Sequence, residues 1–435
     1  VTDNPHNDAL RATHNVSGVY DLSTKGGRTA VNTANCYLIG APGSYTFPLV
    51  YGNGVRDGVP NTDAYTSAAS GENILGRFLN YQDAAIDDPY IYNDSSILLT
   101  DACLVWQDAP NLVSGIELTA DKQSIRFDVD RSTIRQGNAI IAVRDASGTI
   151  VWSWHIWVTD YALGNDLRRV TNFQGNEYTV LPVNIGWCDR DVAASEARSV
   201  TVRITQDKTG LSHTLTFNQT AYTSDLPGHN TYFQWGRKDP MLPGTGKDKT
   251  FYTDLSEYAF DKSGTGKVSI SEAIRHPHVF YNHGEGVVFD WCTETYLNLW
   301  GASSGVPDYT VGVKTIYDPS PVGYVMPPGG FATGFSATGD AVSLVTQFNA
   351  EGGFDAGWNF YCDRDGKGGV IFLPAVGFRS YSSGQVISFG KNGTYWSSSR
   401  YDDGSSCNVS FTESTLTPIA IVRRPYAYSV RAVKE

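Results

Sequence analysis

Two stretches place acidic residues at the spacing of a cation-binding loop. Asp261, Ser263, Thr265, Gly266, Ser269 and Glu272 fall at the first, third, fifth, sixth, ninth and twelfth places of an EF-hand-like loop. Only Asp261 and Glu272 bring carboxylates to the side-chain places, and a hard cation such as Ca2+ needs more negative oxygen. The competing reading is a helix-capping loop, with Ser269 or Ser271 at the N-cap and Glu272 close behind. Asp363 and Asp365 lie in Asp363-Arg364-Asp365-Gly366, between two strand-like runs. A plain hairpin turn has the same Asp- and Gly-rich composition. Calcium is the weaker reading at all four carboxylates, and no cofactor is expected.

His276, Pro277 and His278, with His283 and Glu285, form the densest histidine group. Pro277 blocks the regular helix on which zinc-protease ligands stand four residues apart, so these read as surface-loop histidines. His155 lies in a tryptophan-rich run and reads as a core or interface histidine. The chain holds no HExxH, no GxSxG, no phosphate-binding glycine loop and no CxxC. Its cysteines, Cys36, Cys103, Cys188, Cys292, Cys362 and Cys407, are widely spaced and read as buried small hydrophobes. One or two disulfides stay open for an exported chain. No catalytic residue is assigned.

Composition sets what must position these residues. The 435 residues include 33 Lys+Arg against 45 Asp+Glu, a net charge of −12, so a phosphate-tracking basic stripe and a nucleic-acid partner are excluded. Charged residues are only 18%, and 44 Gly, 25 Tyr and 19 Phe favour short strands joined by turns over long helices. No apolar run is long enough for a transmembrane helix. The chain opens on Val1 rather than Met, which implies a removed or trimmed leader and leaves room for a lipid anchor upstream.

Residues 1–30 are polar with weak periodicity and read as a tail or tether. Short strands are expected at 35–39, 45–51 and 125–129, and a short helix at 71–80. Asp145-Ala146-Ser147-Gly148 joins two strands as a hairpin. In the second strand, Trp152, Trp154, Ile156 and Val158 share one face, and Val151, Ser153, His155 and Trp157 the other. Both faces are largely apolar, as in a central strand covered on both sides. Turn residues at 160–165 mark a domain boundary. Beyond it, Val200, Val202 and Ile204 alternate toward a turn at Asp207–Gly210, and Leu211, His213, Leu215 and Phe217 alternate after it. From about Tyr222 onward, helices are expected only at 254–260, 271–275 and 341–350.

The second half carries a series of recognisable blocks. Phe233-Gln234-Trp235-Gly236-Arg237-Lys238-Asp239-Pro240 is followed by Lys314-Thr315-Ile316-Tyr317-Asp318-Pro319-Ser320-Pro321-Val322-Gly323-Tyr324. Then come Phe372–Arg379, Tyr395-Trp396-Ser397-Ser398 and Ser429-Val430-Arg431-Ala432-Val433, with Asn184-Ile185-Gly186-Trp187 as an opening block. In this order they resemble the major paralogous domain of Bacteroidetes surface proteins. The stretches at 35–39, 41–54 and 152–161 resemble fimbrillin-family proteins. The resemblance implies a mainly β chain in three parts. Residues 1–30 are the tail, 31–162 an antiparallel β-sandwich, and 163–435 a loop-rich α+β domain like C-type lectins and the formylglycine-generating enzyme. The enzyme's paired C-terminal cysteines are not matched, since Cys407 stands alone there with Cys362 well upstream. The sugar-binding EPN or QPD tripeptide is absent too. Within the blocks, Arg237, Arg379 and Arg431 read as forks that clamp loop carbonyls. The tryptophans read as glue for long loops.

The function implied is a non-enzymatic cell-surface adhesin or pilus-tip subunit, exported to the outer membrane or a fimbrium. It would join other pilus subunits by β-strand addition, with the first domain accepting a strand, and bind a glycan or protein ligand through the second. The closing 429–433 block leaves no spare C-terminal segment to donate. The alternative is a carbohydrate-binding lipoprotein that stacks exposed aromatics on sugars. The least favoured reading is a hydrolase built on two carboxylates.

Overall fold

The computed structural model describes residues 2–243, 260–261, 266–282, 290–302, 308–402 and 404–435. The chain is mainly β, built from many small sheets, with two α-helices among the described residues, Pro5–Ala12 and Ile270–Arg275.

One four-stranded sheet orders Cys36–Ile39, Ile150–Val158, Gly137–Asp145 and Leu99–Gln107. The Trp strand is interior to it and buried along its whole length, as its two apolar faces dictate. The 145–148 hairpin forms as expected. A second sheet orders Val19–Asp21, Gly43–Pro48, Ser124–Val129 and Ser114–Leu118. In Ser124–Val129 the alternation of Ile125, Phe127 and Val129 is the buried face. The sheets meet where the rings of Phe47 and Trp154 lie 5.1 Å apart. Neither sheet is purely antiparallel: Ile150–Val158 pairs parallel with Cys36–Ile39, and Gly43–Pro48 pairs parallel with Val19–Asp21.

Three expectations change. Residues 1–30 are not a loose tether. Thr2–Asp3 pairs with Asp191–Ser195, Leu10 is fully buried, and Asn7 accepts from the Gln136 amide at 2.8 Å. The polar side chains of this segment act through a cap and a long-range bond, which periodicity does not register: Asn4 is the N-cap of Pro5–Ala12, with proline at the first turn. The helix expected at 71–80 is a set of turns with single bridges, Thr66 to Arg77 and Leu79 to Ala85. Residues 341–350 hold a 3-10 turn, Val345–Gln347, rather than an α-helix. The helix expected at 271–275 forms as Ile270–Arg275; of the one expected at 254–260, residues 254–259 lie outside the described residues.

Residues 160–165 do leave regular strand, but the core does not stop there. One hydrophobic cluster runs from Leu10 through Trp152 and Trp154 to Trp235, Trp396 and Ala432. Asn35 donates to the carbonyls of Ile316 and Asp318 at 2.6 and 2.9 Å, which ties the first sheet to the second half. Among the described residues no helix is long and apolar enough to cross a membrane.

Candidate functional site

The recognised blocks are fold-holding devices. Arg431 sends Nε to Asn184 Oδ1 at 2.7 Å and its other nitrogens to the carbonyls of Leu181, Pro182 and Phe372. Burial lowers its pKa to about 10. Arg237 reaches Gln234 Oε1 at 2.9 Å and the Val279 carbonyl at 2.6 Å, and stacks over Tyr281 and Trp291. Arg379 bonds the Leu242 and Gly384 carbonyls. A fourth clamp, Arg424, was not singled out from sequence. It bonds Asp290 Oδ2 at 3.1 Å and the Tyr296 carbonyl at 2.7 Å, and lies over the Trp235 ring. The indoles of Trp235, Trp291, Trp300, Trp358 and Trp396 each donate to a backbone carbonyl. Loops without a strand ladder thereby satisfy their carbonyls through side chains.

The lysines of the blocks are equally committed. Lys238 Nζ touches both Asp239 oxygens, Ser153 Oγ and the Ser153 carbonyl within 2.9 Å, and sits over Trp152. Lys314 Nζ donates to the carbonyls of Ser320, Pro321 and Tyr324, while Asp318 accepts from the amides of Ser320 and Met326. Burial lowers both lysines to about 8. A Lys–Ser pair of this kind has the makings of a base and a nucleophile, but Ser153 and Lys238 lie under the shared core, sealed from substrate.

The calcium candidates do not converge. Asp363 and Asp365 both turn an oxygen to the Lys367 amide, at 3.1 and 3.2 Å, inside an exposed hairpin turn between Gly357–Tyr361 and Val370–Pro374. The Lys367 side chain holds the Asp365 carboxyl below its ordinary pKa. Glu272 is in the first turn of Ile270–Arg275. Its amide donates to the N-cap Ser269 at 3.1 Å, and its carboxylate pairs with Arg275 and His276. Asp261 is in a short strand parallel to Phe280–Tyr281; Ser263 and Thr265 lie outside the described residues. The loop is thus a capping loop at its Glu272 end. Of the histidine group, burial lowers His278 to about 4, and His283 and Glu285 lie outside the described residues. The cysteines are buried thiols with no disulfide among them.

The hairpin expected around Asp207–Gly210 forms, and it is the most unusual surface of the molecule. Arg198–Thr205 and Ser212–Gln219 pair in register as a two-stranded sheet. Val200 faces Phe217, Val202 faces Leu215 and Ile204 faces His213. Because side chains alternate, these six share one face, and Ser199, Thr201, Arg203, Thr214, Thr216 and Asn218 share the other. Both faces are exposed: Val200 by 58%, Ile204 by 59% and Phe217 by 61%. A half-apolar strand normally has a covering layer, so the sequence pattern alone could not reveal its absence. The two legs continue into Asp191–Ser195 and Tyr222–Leu226, which pair with each other, and Asp191–Ser195 pairs on its other edge with Thr2–Asp3.

One cluster escaped sequence reasoning altogether. A carboxylate oxygen of Asp108, Sγ of Cys188 and a ring nitrogen of His229 lie within 4.8 Å of one another. No spacing motif could have found residues so far apart in the chain.

Comparison with protein-family profiles, curated proteins and solved structures gives no match for this chain.

Proposed function

We propose that this chain is a non-enzymatic surface adhesin or pilus-tip subunit that engages a protein partner by β-strand addition at the ribbon formed by Arg198–Thr205 and Ser212–Gln219. The observation that carries the reading is the ribbon's uncovered apolar face combined with two strand edges that no other described strand pairs. Monomers seldom leave a contiguous patch of this kind, and edge strands template pairing with another chain. Arg198, Arg203 and Lys208 against Asp207 make the ribbon basic on an acidic chain, which suits a neutral or acidic partner strand. On this reading the acceptor surface lies after residue 163 rather than in the first domain.

The resemblance to fimbrillins and the major paralogous domain is part of this proposal, as are the sandwich and lectin-like architectures, the exported location and an upstream lipid anchor. The commitment of the block lysines and arginines to burial supports a binding role over catalysis. The carbohydrate reading loses its best support, since no tryptophan is exposed and the exposed rings among the described residues are Phe217, Tyr222, Phe372 and Tyr401.

The test is binding of the full chain to a peptide carrying the terminal strand of the cognate stalk subunit, followed by fluorescence anisotropy. The expected result is saturable binding that weakens at least tenfold in a Val202→Glu/Leu215→Glu variant. No binding sinks the tip assignment. A glycan-array signal unchanged in that variant would favour the carbohydrate reading.

A further inference from the structure

The three donors Asp108, Cys188 and His229 differ in chemistry but agree in the ion they suit. A thiolate, an imidazole and a carboxylate together favour a borderline-soft divalent ion of the zinc class and disfavour calcium or magnesium, which take oxygen. Zinc bond lengths of about 2.0–2.3 Å place tetrahedral donors roughly 3.3–3.8 Å apart. Donor atoms that already lie within 4.8 Å need side-chain shifts of about 1 Å at most to close on one ion.

The surroundings hold the donors in place. Cys188 and His229 are paired across an antiparallel bridge, with reciprocal amide–carbonyl bonds of 2.8 and 2.9 Å, so their backbones are fixed opposite each other. His229 donates its Nδ1 proton to the Pro227 carbonyl at 3.1 Å, which sets the tautomer and the ring's orientation. Asp108 accepts from the Asn138 amide at 2.7 Å and from Asn138 Nδ2 at 2.9 Å. The same Nδ2 approaches Cys188 Sγ at 3.6 Å, an N–H···S contact that favours the thiolate. Hydrogen-bonded ligands of this sort are what a metal site requires beyond its ligands. Cys188 is buried, whereas Asp108 and His229 are partly exposed, so the cluster opens on one side to an ion and to a fourth ligand from solvent.

We infer that Asp108, Cys188 and His229 form a zinc-class metal site that clasps the base of the exposed ribbon to the core. Cys188 lies just before the leg Asp191–Ser195, and His229 just after the leg Tyr222–Leu226. Asp108 directly follows the core strand Leu99–Gln107. One ion would therefore join both legs of the ribbon to the first sheet. Binding releases the Cys188 thiol proton to solvent, so affinity rises with pH. The site does not depend on what the ribbon binds.

The test uses the full chain, stripped with chelator and titrated with Zn2+ or Co2+. The expected result is one ion per chain, with a thiolate-to-cobalt absorption band. Cys188→Ser and His229→Ala should each remove the band and weaken binding at least tenfold, while Asp365→Asn, at an exposed turn position, leaves both unchanged. His229 is partly exposed, so His229→Ala keeps the test valid if Cys188→Ser fails to fold. Hydrogen exchange at 188–195 and 222–229 should slow on adding zinc to the wild type. Wild-type stoichiometry no higher than that of His229→Ala, or a cobalt spectrum without the thiolate band, would overturn the inference.

Discussion

His155 Nε2 donates to Asn138 Oδ1 across 2.9 Å, and this bond orients the whole polar centre of the first sheet. With Oδ1 turned to the histidine, Nδ2 of Asn138 faces Asp108, the Gly186 carbonyl and Cys188 Sγ. The histidine's Nδ1 is buried without a partner among the described residues, so the ring is neutral with its proton on Nε2. Two strands that read as ordinary apolar hairpin partners thus carry a polar chain from the core to the base of the ribbon.

That burial has a pH consequence. The His155 pKa falls from 6.5 to about 3, through desolvation alone. Above pH 6.5 neither folded nor unfolded chain protonates this residue. Below it the unfolded chain takes up a proton that the folded chain refuses down to about pH 3, so stability drops as pH falls through that window. The slope approaches about 1.4 kcal/mol per pH unit for one proton. Urea melts from pH 7 to pH 4 should show a stability gap between wild type and His155→Gln that narrows steadily toward low pH. A gap that does not change with pH would mean that His155 takes up its proton in the fold as it does in the unfolded chain.

Arg424 and Asp290 are both buried and paired, and burial raises the Asp290 pKa. Removing the cation alone leaves a buried carboxyl without its partner. Arg424→Met should cost about 3–5 kcal/mol in urea melts, and adding Asp290→Asn should recover part of it. Equal losses in the single and double variants would show that the arginine acts only through its carbonyl and aromatic contacts.

The strands with a clear period of two were legible from sequence because one property, alternation, decides them. The fully buried Trp strand and the Asp145–Gly148 turn needed nothing more. The first 30 residues were not legible, because Asn4, Asn7 and Leu10 act through a cap, one long-range bond and one buried side chain. The continuity of the core across residue 162 was hidden for a related reason. Turn residues report a change of direction, not which faces later share a core. The block arginines were legible as clamps because five donors and no nearby motif leave little else for a guanidinium to do. The Asp108, Cys188 and His229 cluster exists only after two distant turns meet.

Gly186, in the opening block, has φ of +74°, and a Cβ there would approach Asn138 Oδ1 at 2.8 Å and also strike Thr231 Oγ1. Gly148 has φ of +80° with no atom within 4 Å of such a Cβ. Gly148→Ala should therefore show backbone strain only, about 1 kcal/mol. Gly186→Ala should add steric displacement of Asn138, for a total of about 2–4 kcal/mol. Thermal or urea melts of the two variants decide this, and equal costs would mean that Asn138 yields without loss.

The ribbon makes the opposite prediction about stability. Val202 and Leu215 face each other with 40% exposure each and pack on no covering layer, so replacing both removes little buried area. Val202→Thr/Leu215→Thr should change unfolding free energy by about 0.5 kcal/mol or less, and threonine keeps the strand propensity of the pair. By contrast, Ile140→Ala, at a fully buried position of the Gly137–Asp145 strand, should cost about 2–5 kcal/mol. The same ribbon substitutions should lower binding of a hydrophobic dye to the native protein, because they take apolar surface away from solvent rather than from the core. A loss above 2 kcal/mol in the ribbon variant would show that its apolar face is already packed in the isolated chain, and the strand-addition surface would have to be sought elsewhere.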